Sequence, residues 1–256
     1  MIFSDLHMHT SFCDGKNTPE EMILSAISKG LKIVGISGHC NTGFEESYCM
    51  PRPVMLKYKS EINRLKEVYK DRIQVLCGIE QDYYAGVPYL DFDYAIGSVH
   101  YVFKDGYYIP VDESFEVTQK AVDKYYNGDF FAYAEDYYNL VGDVLNKTNA
   151  DIIGHFDLIS KFNEGSKQFD ETNPRYINAY KKAVDKLIPC NKPFEVNTGA
   201  ISRGYKTVAY PNIPILQYIK EKGGKVILSS DSHCSQNICF MFDEWEKIIK
   251  DLGFDI

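Results

Sequence analysis

The chain holds six histidines, and their spacing limits the chemistry they can do. His7-Met8-His9 sets two imidazoles at i and i+2, and Asp231-Ser232-His233 sets a carboxylate and an imidazole the same way. Side chains alternate along an extended segment, so each such pair points to one side. His39, His100 and His155 stand apart in sequence, as do the acids Asp14 and Glu80. Gathered in one place without an ion, six imidazoles would repel when protonated and lack partners when neutral. Divalent metals resolve both conflicts, because imidazole nitrogen and carboxylate oxygen are their donors. The candidate ligands are His7, His9, Asp14, His39, Glu80, His100, His155, Asp231 and His233. One ion takes about four to six donors, so this set implies two or three ions, with Glu80 as a natural bridge.

Residues this far apart meet only if the fold brings them to one face. Short β-rich runs at 2–6, 32–37, 73–79, 94–99, 151–154, 194–196 and 225–229 predict seven strands. Helical patterns fill the intervals, at 55–69, 114–127, 130–147, 174–187 and 215–222, with a last helix at 242–252. Thr18-Pro19-Glu20-Glu21 reads as a capping box opening a further helix to about Ser28, and Gly30 ends it. Strands alternating with helices predict a parallel sheet. The strands are apolar and β-branched without strict alternation, as when both faces are covered. Every histidine sits at the carboxyl end of a predicted strand, and none lies in a predicted helix. In a parallel barrel all strand carboxyl ends share one face, where active sites are built.

The 256 residues suit a single α/β barrel spanning 1–256, since such barrels run to about 250 residues. Lys plus Arg number 28 and Asp plus Glu 36, for a net charge of −8. That balance argues against long nucleic acids and anionic membranes as partners. The opening residues carry no basic stretch followed by an apolar run, and no apolar run reaches the roughly 18 residues of a membrane span. A cytoplasmic protein is expected. The seven cysteines form no C-x-x-C pair, and reduced thiols acting as small buried hydrophobes are expected.

His7-Met8-His9, Asp14, His39, Glu80, His100, His155 and Asp231-Ser232-His233 together resemble the polymerase and histidinol phosphatase (PHP) family. The opening run from Ser4 to Gly15 is closest to its histidinol-phosphatase branch. The resemblance implies a distorted (β/α)7 TIM-like barrel and a trinuclear centre of zinc, manganese or iron. It implies one ion on His7, His9, Glu80 and Asp231, a second on Glu80, His100 and His155, and a third on Asp14, His39 and His233. Asp14 stands where many members have histidine, which makes the third site more oxygen-rich. The activity implied is hydrolysis of L-histidinol phosphate, in histidine biosynthesis, by attack of a metal-bridging hydroxide on phosphorus.

The residues themselves offer a basis for phosphate binding. Arg203 follows the sixth predicted strand, and its planar fork suits two phosphate oxygens. Lys161, in the loop after His155, offers a second positive charge. Asp231 or His233 is expected to route a proton to the leaving alkoxide, and the sequence leaves both open. Asp82, Glu113 and the pair Glu45-Glu46 are candidates to meet the substrate amine, and Tyr83, Tyr84, Tyr101, Tyr107 and Tyr108 to stack on its imidazole. The segments 101–113 and 156–173 are lid candidates. Two further enzyme readings remain: a relative acting on a small nucleotide or an oligonucleotide end, and a metal-dependent amide or lactone hydrolase. The latter typically has eight strands and a bridging Lys on the fourth, where this chain has His100. A metal-binding protein with a dead site is the non-enzyme alternative. Oligomeric state is not legible.

Overall fold

The computed structural model describes residues 4–44, 47–88 and 90–255. Its strands are β1 (Ser4–Asp5), β2 (Ile33–Ile36), β3 (Gln74–Asp82), β4 (Tyr94–Ser98), β5 (Tyr101–Lys104), β6 (Tyr107–Pro110), β7 (Ile152–Ile153), β8 (Phe194–Asn197) and β9 (Val226–Ser229). Its helices are α1 (Pro19–Ser28), α2 (Arg52–Tyr69), α3 (Phe115–Tyr126), α4 (Phe130–Val141), α5 (Val144–Thr148), α6 (Pro174–Leu187), α7 (Gly199–Ser202), α8 (Ile213–Glu221) and α9 (Phe242–Asp251).

Seven strands form one parallel sheet in the order β1-β2-β3-β4-β7-β8-β9. Spatial order follows chain order, so each crossover adds the next strand on the same side and the sheet curls round. Just past β1 and β9, Met8 bridges Ser232 in parallel. His9 N donates to Ser232 O at 2.8 Å, and Ser232 N donates to His7 O at 3.2 Å. The expected distorted (β/α)7 barrel is what forms. The distortion follows from strand length: β7 holds two residues against nine in β3, so pairing around the barrel is uneven.

Local chemistry accounts for the elements. The Thr18 hydroxyl accepts from Glu21 N, and the Glu21 carboxylate accepts from Thr18 N at 2.7 Å, closing the capping box at the start of α1. The expected elements lie within three residues of their predicted ends, with three differences; residues 2 and 3 of the first strand fall outside the described range. First, β3 runs on to Asp82, carrying Glu80 and Asp82 on one face. Second, the helix expected over 130–147 breaks into α4 and α5. Gly142 sits at the break, where a Cβ would come within 3.1 Å of Ala183 Cα on α6. Third, 101–113 is no open loop but holds the β5–β6 hairpin. Asp105 and Gly106 turn it with φ of 48° and 83°, the conformation that an Asp-Gly pair favours.

A large core lies between sheet and helices. There the Tyr58 hydroxyl donates to Ile36 O at 2.6 Å, tying α2 to β2. A small separate cluster of Tyr94, Ile96 and Ile152 with Leu6, Leu76 and Ile227 fills the barrel itself. Alternation along β3 stacks Leu76, Gly78, Glu80 and Asp82 on the same face, so an apolar plug supports a polar mouth. Gly78 makes room for the plug, since a Cβ there would lie 2.2 Å from Tyr94 Cζ. Urea denaturation should therefore show Gly78→Ala less stable by about 1–3 kcal/mol. Adding Tyr94→Leu should recover part of that loss, giving less than the sum of the two single changes.

Candidate metal centre

The strand ends carry the donors into one buried cluster. Glu80 lies at its middle, 1% exposed. Its Oε1 is 2.8 Å from His155 Nε2 and 3.3 Å from His100 Nε2. Its Oε2 is 2.8 Å from His39 Nδ1, 3.4 Å from His7 Nε2 and 3.6 Å from His9 Nε2. Asp231 Oδ1 stands 3.1 Å from His9 Nε2 and 3.6 Å from His7 Nε2. Nearer solvent, Asp14 meets His233 Nε2 at 3.0 Å, His39 Nε2 at 3.6 Å and His9 Nδ1 at 3.7 Å. All nine expected ligands thus fall in one cluster. His39 spans its two halves, with Nδ1 toward Glu80 and Nε2 toward Asp14.

The loops that deliver these groups are tightly built. A Cβ on Gly15 would lie 2.4 Å from the backbone of His9 and Thr10, so only glycine closes the turn behind Asp14. Asp231 itself takes a left-handed φ of 47°, a costly conformation for a non-glycine residue and one that clusters at functional sites. The Asp82 carboxylate accepts from the His100 backbone N and faces its Nδ1, both at 3.1 Å.

Electrostatics shows a cluster in conflict. Burial would strip His7 of its proton, but Glu195, Asp231 and Glu80 outweigh it and hold the pKa well above the ordinary value. Two residues on, burial with the His39 and His233 charges pulls His9 down to about 3. Burial would raise Glu80, yet the surrounding histidines keep it ionised well below the usual carboxylate range. Asp231 is held down likewise, against its burial, by Arg203 and His7. His7 Nε2, His9 Nε2 and Glu80 Oε2 are buried and have no hydrogen-bond partner. Two imidazole nitrogens and a carboxylate oxygen, unpartnered and converging, fit a divalent ion, whose ligands they are by type.

A cavity of about 240 Å³ opens above the cluster. Asp14, His39, Glu80, His100, His155, Asp231 and His233 form its floor, and Tyr48, Asp112, Leu158, Lys161, Arg203 and Tyr205 its walls. Arg203 and Lys161 are in the cavity, as expected. Arg203 Nη2 donates to Asp231 Oδ2 at 3.0 Å, and its Nη1 lies 2.8 Å from His233 Nδ1. Asp82 and Glu113, expected near the substrate amine, do not line the cavity. Asp82 is 3% exposed and occupied with His100, and Glu113 is exposed and outside the cavity lining. Its neighbour Asp112 faces in instead, bound to Lys161 Nζ at 3.0 Å. Glu45 and Glu46 lie outside the described residues. Phe44 stacks on Tyr108 and meets Tyr84 and Tyr101 edge-on, and this aromatic cluster reaches the cavity through a 2.8 Å hydrogen bond from Tyr48 to Tyr101. The 156–173 segment is pinned by Asn163, which accepts from Gln168 N and Phe169 N at 2.9 and 3.0 Å.

Sequence reasoning missed Glu195, Asp112, Tyr48 and Tyr205. Only Glu195 carried a signal, an acid inside the apolar run Phe194-Glu195-Val196, and it is fully buried beside His7.

The PHP domain model matches residues 5–199. The chain belongs to the PHP domain family. A Schizosaccharomyces pombe protein named "Probable histidinol-phosphatase" is 30% identical over 248 residues, covering 89% of this chain and 79% of that one. The Bacillus subtilis histidinol-phosphatase is 24% identical, over 93% and 96% of the two chains. A crystal structure of the Lactococcus lactis histidinol phosphate phosphatase, complexed with zinc, L-histidinol and phosphate, superposes with a TM-score of 0.74 at 22% identity. It covers 99% of this chain and 94% of its own. These relatives put the chain in the histidinol-phosphatase branch of its family. No helix of the described residues is long and apolar enough to cross a membrane.

The two halves of the cluster differ in access. The Asp14 and His233 side chains are 32% and 22% exposed, against 1% for Glu80. Dialysis against a chelator, followed by metal analysis, should therefore remove metal in two phases. Asp14→Ala should abolish the fast phase and keep the slow one, and Glu80→Ala should abolish the slow one.

The buried acid Asp157, just past His155, gives a pH test. Burial raises its pKa to about 6, partly opposed by Lys206. A raised carboxyl pKa contributes stability below the unfolded value near 4, and that contribution disappears as pH rises through 6. Between pH 4 and 6.5 the wild type should lose stability relative to Asp157→Asn, as urea midpoints would record.

Proposed function

We infer that this protein is a metal-dependent histidinol-phosphatase, converting L-histidinol phosphate and water to L-histidinol and phosphate. The observation that carries the reading is the division of Glu80: one oxygen serves His100 and His155, the other His7, His9 and His39. A carboxylate so shared suits a bridge between ions under a cavity of substrate size. The named relatives and the zinc, histidinol and phosphate of the Lactococcus lactis structure support the substrate. That activity belongs to histidine biosynthesis.

The residues would divide the work as follows. His7, His9, Glu80 and Asp231 would hold one ion, Glu80, His100 and His155 a second, and Asp14, His39 and His233 a third, with zinc, manganese or iron suited to the mixed donors. Bound there, the ions supply positive charge to the phosphoryl oxygens and acidify water to a nucleophile. Arg203 adds its charge from the wall, already oriented by Asp231 and His233. Lys161 lines the same cavity, fixed by Asp112. Asp231 and His233 lie at the rim of the cluster, beside Arg203, where either can pass a proton to the departing alkoxide. Asp112 is the wall carboxylate available to the substrate amine, in place of Glu113. The single polypeptide 1–256 would form one catalytic barrel.

The test is phosphate release from L-histidinol phosphate, a nucleotide and an aryl phosphate after loading with Mn²⁺ or Zn²⁺. A large preference in kcat/KM for histidinol phosphate is expected. Asp231→Asn should abolish it, and Arg203→Ala should lower kcat by about 10²–10³-fold, as for loss of a preorganised charge at the transition state. Equal, feeble rates on all three esters would overturn the substrate assignment.

A further inference from the structure

Glu195 sits on β8 with no exposed surface, and the reaction as described gives it no part. Four donors surround its carboxylate. On Oε1 they are His7 Nδ1 at 2.5 Å and Ser229 Oγ at 2.6 Å. On Oε2 they are the backbone N of His155 at 2.7 Å and Asn197 Nδ2 at 3.0 Å. An ionised carboxylate offers roughly four lone-pair positions, so none remains for an ion. Glu195 therefore sits among the ligands without being one.

Its partners are telling. His7 begins the barrel, and His155 lies 148 residues later in the chain, at the end of β7. Glu195 grips the side chain of the first and the backbone of the second. Accepting a hydrogen bond from His7 Nδ1–H keeps the proton on that nitrogen and reserves Nε2 for an ion, and Nε2 is the atom facing Glu80 and Asp231. Holding the His155 amide sets the loop from which that ring reaches Glu80 Oε1. We propose that Glu195 is a positioning residue that locks His7 and His155 into one preformed unit, and that the deep ions bind tightly only while this unit is intact. The inference rests on the metal reading given above and is independent of the substrate.

The geometry also defines the variant. In Glu195→Gln the new amide nitrogen must face two donors on one side or the other: His155 N and Asn197 Nδ2, or His7 Nδ1 and Ser229 Oγ. Either way one ligand is released. Mn²⁺ titration of the full chain, read by bound metal, should show a dissociation constant for the deep ions weakened by about 10–100-fold. The ¹⁵N spectrum of histidine-labelled apoprotein should lose the Nδ1–H signature of His7. Glu195→Asp keeps the charge but falls a methylene short of reaching both partners. It should weaken Mn²⁺ binding as well, which keeps the test open if the Gln variant does not fold. Tyr218→Phe serves as a control, because it loses a hydrogen bond to Asp185 between α8 and α6, in the helical layer outside the barrel, and should keep wild-type Mn²⁺ affinity. Wild-type affinity in a folded Glu195→Gln or Glu195→Asp variant would overturn the proposal. Failure of the wild type itself to bind Mn²⁺ would instead overturn the metal reading on which the proposal rests.

Discussion

Everything at the mouth of this barrel turns on packing buried acids and imidazoles into contact, with Arg203 reaching Asp231 from the edge. Glu80, Asp231 and Glu195 are each at most 5% exposed, and five of the six histidines at most 9%. A carboxylate in such surroundings must be paired or metal-bound. The protons available cannot satisfy the set. His7 and His9, side by side, are driven to opposite protonation states, and three converging atoms find no partner. The chain's own groups leave the cluster short of positive charge at its centre, which is the demand a divalent ion meets.

The rest of the molecule can be understood as the means of holding that conflict in place. The apolar plug of Tyr94, Ile96 and Ile152 closes the barrel beneath it. The capping box starts α1 just after the Asp14 turn. Gly15 has no room for a Cβ against the His9 and Thr10 backbone, Asp231 takes a left-handed φ, and both lie at the ligand loops. Rigidity is placed where the donors must not collapse onto one another.

Much of this was legible in the sequence because it is periodic or punctuated. Strand runs, the Thr18 box and the position of each histidine after a strand follow from short-range rules. What escaped was set at long range. The exposure of Glu113 and the inward turn of Asp112 depend on where the β5–β6 hairpin lands, and neighbouring acids look alike in sequence. Glu195 gains its meaning from partners 188 and 40 residues away. The break at Gly142 records the approach of α6, not a property of the helix it interrupts. The hairpin was announced by Asp105-Gly106 between aromatic runs, a local signal outweighed by the length of the segment.

The Met8–Ser232 bridge joins the first strand to the last, and it has His7 and His9 on one lip and Asp231 and His233 on the other. An ion held by His7, His9 and Asp231 would therefore act as a rivet across the seam. Folding and loading would then share one free energy: that ion, once captured, would tighten the closed barrel, and opening of the seam would release it. For such a molecule the metal supply of its surroundings is also a setting of its lifetime.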